Sequence, residues 1–147
     1  HWQTVEASGL TKHKLTTFHS QYKYTVMSHD LVAYKKLGQL LAKADLSLEE
    51  MAAQYIAGLM AALSIKATRK KHANTLAHIQ GYFSKHLKRN ERQELCQQIN
   101  AYREGLVPLI APLTLVKHYL LQYPKDYLAK QAYLSPYPDQ LRLRYAY

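Results

Sequence analysis

The sequence predicts an all-α, single-domain helical bundle of about six or seven helices with a tyrosine- and proline-rich C-terminal arm. Two observations predict it. Apolar residues recur at three- and four-residue steps along most of the chain, and capping residues punctuate those stretches at intervals of helix length. A third supports it: no segment alternates apolar and polar residues well enough for a sheet. At 147 residues and 48% apolar content, a single domain over 1–147 can bury a real core, and the charge does not signal disorder.

Residues 1–10 read as a lead-in. Thr11 can cap a helix running to about His29, with Leu15, Phe18, Tyr22 and Val26 as its apolar stripe. Asp30 can cap the next, in which Leu31, Tyr34, Leu37 and Leu41 recur up to about Ala44. Ser47-Leu48-Glu49-Glu50 has the form of a capping box. The helix it opens is apolar on several sides, through Met51, Ile56, Leu59, Met60 and Leu63, which places it at the centre of the core. Thr68 starts a basic helix to about Leu87. Asn90-Glu91-Arg92-Gln93 signals a second cap, for a helix through Leu95, Ile99 and Tyr102 that ends near Gly105. Pro108 fits a first turn, and Pro112 is expected to kink or restart the helix that continues to about Tyr123. The arm, 124–147, has room for a short helix around Asp126 to Gln131, and its tyrosines predict that it packs on the bundle.

Charge is distributed unevenly. Between residues 65 and 92 eight cations face one acid, Glu91, so this fifth of the chain holds +7 of the formal +10. Such an excess calls for a polyanion, nucleic acid first. On the basic helix, Ala73, Leu76, Ala77, Phe83 and Leu87 are expected to be core. Lys71, Asn74, Thr75, His78, Gly81, Lys85 and Lys88 form the other side. Arg69, Lys70 and Lys71 crowd the N-terminal end, where free amide N–H groups also attract phosphate. The nucleic-acid candidates are Arg69, Lys70, Lys71, His72, Asn74, His78, Tyr82 and Lys85, with Lys12, Lys14, Lys23 and Arg144 as a rim. Gly81 inside a helix suggests the close approach of a backbone or ligand. The bland alternative is a solvated helix with an incidental charge run.

Other chemistry is thinner. His72 and His78 are six apart with no carboxylate between Lys66 and Asn90, so no metal site is expected. Glu91 and Glu94 read as capping acids rather than a metal pair, and Cys96 as a buried structural thiol. No Gly-rich phosphate loop, nucleophile elbow or HExxH pattern is present, and no cofactor is expected. His72, His78 and Tyr82 are the weak candidates for proton transfer if the chain is an enzyme. The longest apolar stretches are too short to span a bilayer, and no leading segment resembles a signal peptide. A cytoplasmic protein without membrane contact is the expectation. The opening His1 leaves the true start of the chain open.

The residues Thr68-Arg69-Lys70-Lys71-His72, His78-Ile79-Gln80-Gly81-Tyr82-Phe83, Tyr102-Arg103-Glu104-Gly105, Pro108-Leu109-Ile110-Ala111-Pro112-Leu113, Lys117-His118-Tyr119 and Tyr123-Pro124 together resemble the YbgA family. Tyr22-Lys23-Tyr24, Ser28-His29, Gln131, Tyr133 and Leu143-Arg144 extend the resemblance over nearly the whole chain. That helical family, catalogued as a domain of unknown function, occurs alone or fused behind a cysteine-rich iron–sulfur domain like the thiouracil desulfidases. The fused proteins are implicated in removing sulfur from 4-thiouridine in tRNA. The resemblance therefore implies an RNA-holding module, with tRNA as ligand and a separately encoded iron–sulfur desulfidase as a partner. This chain has Cys96 alone in place of the desulfidase cysteines, so desulfuration by itself is not implied. An enzyme acting on a modified nucleobase, and a protein-interaction partner of a separate desulfidase or repair enzyme that uses the tyrosine-rich arm, are the alternatives.

Overall fold

A computed structural model describes residues 9–134 and is all-α: eight α-helices and two short 3-10 turns, with no strand among the described residues. The chain divides after Lys66 into two compact units.

The first unit holds α1 (Lys12–Gln21), α2 (Lys23–His29), α3 (Leu31–Leu41) and α4 (Leu48–Ser64). The three caps lie where the sequence puts them. Thr11 Oγ1 accepts from Lys14 N at 3.1 Å, Asp30 Oδ1 from Val32 N at 3.0 Å and Ser47 Oγ from Glu50 N at 3.1 Å. The expected single helix to His29 is two helices, because Tyr22 leaves helical geometry (φ −105, ψ 11) while its ring stacks on Phe18 at 4.4 Å. The redirected α2 buries Tyr24, Val26 and Met27. Leu15, Phe18, Leu37, Leu41, Met51, Tyr55 and Leu59 form the core. In α4 the apolar residues do not all point inward: Met60 is 61% exposed and Ile56 and Leu63 are half-buried, since only the face of Met51, Tyr55, Leu59 and Ala62 meets the core. Gly58 lets α3 come close, as a Cβ there would lie 2.8 Å from Leu37 Cδ2.

One polar group is enclosed in this unit. His19 is 7% exposed, stacks on Tyr34 at 4.4 Å, and shares a 3.1 Å hydrogen bond between Nδ1 and the Tyr55 hydroxyl. Burial lowers its pKa to about 4 and raises that of Tyr55.

The second unit holds α5 (Arg69–Phe83), a 3-10 turn (Ser84–His86), α6 (Arg89–Arg103), α7 (Ile110–Gln122), α8 (Asp126–Ala129) and a last 3-10 turn (Ala132–Leu134). Helices α5, α6 and α7 pack on one another. Leu76, Ile79, Phe83, Leu95, Ile99, Tyr102, Leu109, Leu113, Val116 and Tyr133 are buried. The cap of α6 is Lys88 rather than Asn90: Lys88 is extended, and its N–H donates to Glu91 Oε1 at 2.8 Å. Glu91 was the right cue, but it serves the residue three before it, which leaves Asn90 inside the helix. At the other end Gly105 takes φ +81, Gly105 N donates to Tyr102 O, and Leu106 N donates to Ala101 O, a Schellman closure. Pro112 neither kinks nor restarts α7. It occupies the third helical position, where the missing N–H is one of the four that have no partner in the helix. Cys96 is exposed, not buried, because α6 turns Leu95, Ile99 and Tyr102 inward. No helix among the described residues is long and apolar enough to cross a membrane.

The enclosed His19 makes the first unit acid-sensitive. Unfolding frees the imidazole to take a proton, so its contribution is complete above about pH 6.5 and is lost as the pH falls towards about 4. The parent should lose about 3 kcal/mol more stability than His19→Phe between pH 7 and pH 4. Urea midpoints at the two pH values check this, and equal losses in both proteins contradict it.

Candidate nucleic-acid interface

Helix α5 must serve the core and the surface at once. Its inward face is His72, Leu76, Ile79 and Phe83, flanked by Ala73 and Thr75. The opposite face exposes Lys70, Asn74, Ala77, His78, Gly81 and Tyr82, and Lys85 continues it in the following turn. Helical rise makes this stripe about 20 Å long. Ala77, expected in the core, is exposed, and Thr75, expected outside, is buried with its hydroxyl donating to Lys71 O at 2.9 Å. Among the described residues nothing beyond its own helix lies within 4 Å of a Cβ built on Gly81, so no neighbouring backbone there explains the glycine.

His72 is not part of the exposed stripe. It is 1% exposed, and its Nδ1 shares a 2.7 Å hydrogen bond with the hydroxyl of Tyr133, itself fully buried. Its role is to tie the start of α5 to the end of the described chain. His72, His78 and Tyr82 are therefore not gathered around one pocket: the first points inward and the other two outward.

Arg69 also has a structural task. Its Nη1 donates to Tyr102 O at 2.9 Å and its guanidinium lies 5.0 Å over the Tyr102 ring, so a cation neutralises the carbonyl end of α6. Arg92 acts likewise on the α5–α6 connection, donating to Leu87 O at 2.7 Å and Ser84 O at 3.2 Å. Part of the local charge excess thus holds the unit together.

The remainder converges. Thr68 caps α5, its Oγ1 accepting from Lys71 N at 3.2 Å. Beside that cap Thr68, Lys70, Lys71, Asn74 and Arg103 line an open groove of ≈ 540 Å³. Arg103 was in the sequence motif but not among the candidates. Only the antiparallel packing of α5 and α6 brings it to Lys70, and Asn100 Oδ1 orients it by accepting from Nη1 at 2.6 Å. Among the described residues no carboxylate lines this groove, whereas a more open depression of ≈ 400 Å³ between α6 and α7 includes Glu94. Three cations with a hydroxyl and an amide suit a phosphate and the sugar next to it.

At the far end of the stripe, Tyr82 stacks on Tyr127 of α8 with centroids 5.1 Å apart. The acids of α6 serve its packing. Glu91 accepts from Lys88 N and from the Tyr123 hydroxyl, both at 2.8 Å, which holds its carboxyl below the usual range and raises the Tyr123 phenol. Glu94 accepts from Tyr119 at 3.4 Å. Lys23 belongs to the first unit, with its ammonium 5.5 Å from the Tyr24 ring centre. Lys14 there donates to Gly9 O. Arg144, with the arm beyond Leu134, lies outside the described residues.

A family model described as a protein of unknown function, DUF1722, matches residues 23–138. The chain is also 38% identical over 144 residues to the uncharacterized protein YbgA of Escherichia coli K12, a match covering 97% of this chain and 85% of that protein. No solved structure matches the chain.

The His72–Tyr133 bond makes the segment after Tyr123 part of the second unit. Tyr133→Phe should cost about 1 kcal/mol for the lost hydrogen bond, and Tyr133→Ala about 3–5 kcal/mol for the lost ring. Truncation after Tyr123, which also removes buried Leu128 and Leu134, should lower the melting temperature clearly. A truncated chain that melts with the parent contradicts this.

Proposed function

The chain belongs to the YbgA (DUF1722) family, whose function is unknown, and we propose that it is an RNA-binding module whose ligand is tRNA, acting in 4-thiouridine metabolism. The observation that carries the reading is the groove at the head of α5, where Lys70, Lys71 and Arg103 converge with no carboxylate among the described residues that line it. It opens beside the exposed stripe, whose Asn74, His78 and Tyr82 offer base-edge and stacking chemistry. The residues resembling the fused desulfidases' helical half point to the narrower ligand. In that arrangement the chain holds the RNA, and a separately encoded iron–sulfur enzyme supplies the sulfur chemistry. Within the groove, phosphate contacts position the RNA, and discrimination falls to the stripe.

Titration of tRNA and of an unrelated DNA duplex at two salt concentrations tests this. Lys70→Glu with Lys71→Glu should weaken tRNA binding at least tenfold and reduce the slope of log affinity against log salt by about 2. Arg103→Glu should act in the same direction. Arg69 is avoided because its reversal would break the contact with Tyr102. Unchanged affinity in the double variant makes the groove a solvated surface and removes the proposal. Equal affinity for thiolated and unthiolated tRNA removes the 4-thiouridine link and leaves RNA binding in place.

A further inference from the structure

The Tyr82–Tyr127 pair has no task in the core. Tyr82 is 47% exposed and closes the outward stripe of α5, while Tyr127, half-buried, comes from α8 more than forty residues later. Their planes are inclined by 23° with centroids 5.1 Å apart, so two elements build one aromatic ledge. Two lysines flank it along the chain. Lys85 follows Tyr82 in the 3-10 turn, and Lys125, two residues before Tyr127, donates from Nζ to His86 Nε2 at 2.7 Å, holding the base of α8 against that turn. One carboxylate, Asp126, is adjacent in sequence to Tyr127. Towards the groove the ledge is continued by Gly81, which no described residue beyond its own helix covers, and by exposed His78.

We propose that this ledge takes one unstacked base of an RNA loop or single strand, which lies on the exposed tyrosine surface as a third ring. The inference rests on the RNA-binding reading and adds the form of RNA selected. A π-face paired with neighbouring cations fits a nucleotide, since the base meets the ring and its phosphate meets an ammonium. An apolar protein surface would instead gain nothing from Lys85 and Lys125. A base within a duplex is already stacked on both sides and cannot reach the ledge, so loops are favoured over duplex. From Lys70 to Tyr82 the helix rises about 18 Å, long enough for a strand anchored in the groove to pass Asn74 and His78 before its base reaches Tyr82.

The test uses the full chain, an RNA stem-loop carrying 2-aminopurine in the loop, the same stem-loop labelled in the stem, and an RNA duplex of matched length. The parent should quench the loop probe and leave the stem probe unchanged. Tyr82→Ala and Tyr127→Ala should each weaken stem-loop binding by about tenfold, leave duplex binding unchanged and abolish quenching, while Tyr82→Phe retains all three properties. Using rings from two helices separates loss of the ledge from damage to either helix. Equal losses on stem-loop and duplex, or unchanged quenching in both alanine variants, overturn the ledge. If the Lys70 and Lys71 reversals still weaken binding, RNA recognition stands without it. A parent chain that binds neither RNA overturns both.

Discussion

Arg69 joins the head of α5 to the tail of α6, and the geometry of the groove depends on that contact. Its guanidinium donates to Tyr102 O, the carbonyl that Gly105 N also bonds, and covers the Tyr102 ring. A single cation thereby closes one helix end and fixes where the next residues of α5 can point. Lys70 and Lys71 open onto the groove, and Arg103, one residue beyond Tyr102, is delivered to the same place. Removing Arg69 would loosen the groove without touching any residue that lines it.

Much of this was legible in the sequence, because helix caps are local and their chemistry is strict. Thr11, Asp30, Ser47 and Thr68 each accept from a backbone N–H two or three residues on, as their types predict. The faces of α5 were harder to assign. Alanine and threonine carry little hydropathic signal, so Ala77 and Thr75 exchanged sides, and the buried stripe was fixed by Leu76, Ile79 and Phe83. His72 was misplaced for a different reason: its partner, Tyr133, lies 61 residues away, and no periodicity reveals a bond of that range. Arg103 entered the groove for the same reason, since only tertiary packing sets it beside Lys70.

Tyrosine has an unexpected place in the protein. Thirteen tyrosines stand against two phenylalanines, and among the described residues the largest fully buried side chains are Tyr24, Tyr55, Tyr102 and Tyr133. A buried phenol needs a partner for its hydroxyl. Tyr55 finds His19 in the first unit and Tyr133 finds His72 in the second, two imidazole–phenol pairs. Such pairs fix a rotamer where a phenylalanine would leave the ring free to settle, and they give each core a directional contact.

The bond between His72 and Tyr133 also orders the protein in time. A chain emerging from the ribosome completes α5, with its cationic stripe, long before residue 133 has been made. Until then His72 is turned towards a core that lacks its last ring, and the start of α5 is unsecured on that side. The cationic stripe is thus synthesised first, while the group that locks it from behind arrives 61 residues after His72. Translation halted shortly before that residue would release a nascent polypeptide with its basic helix already written and its latch missing.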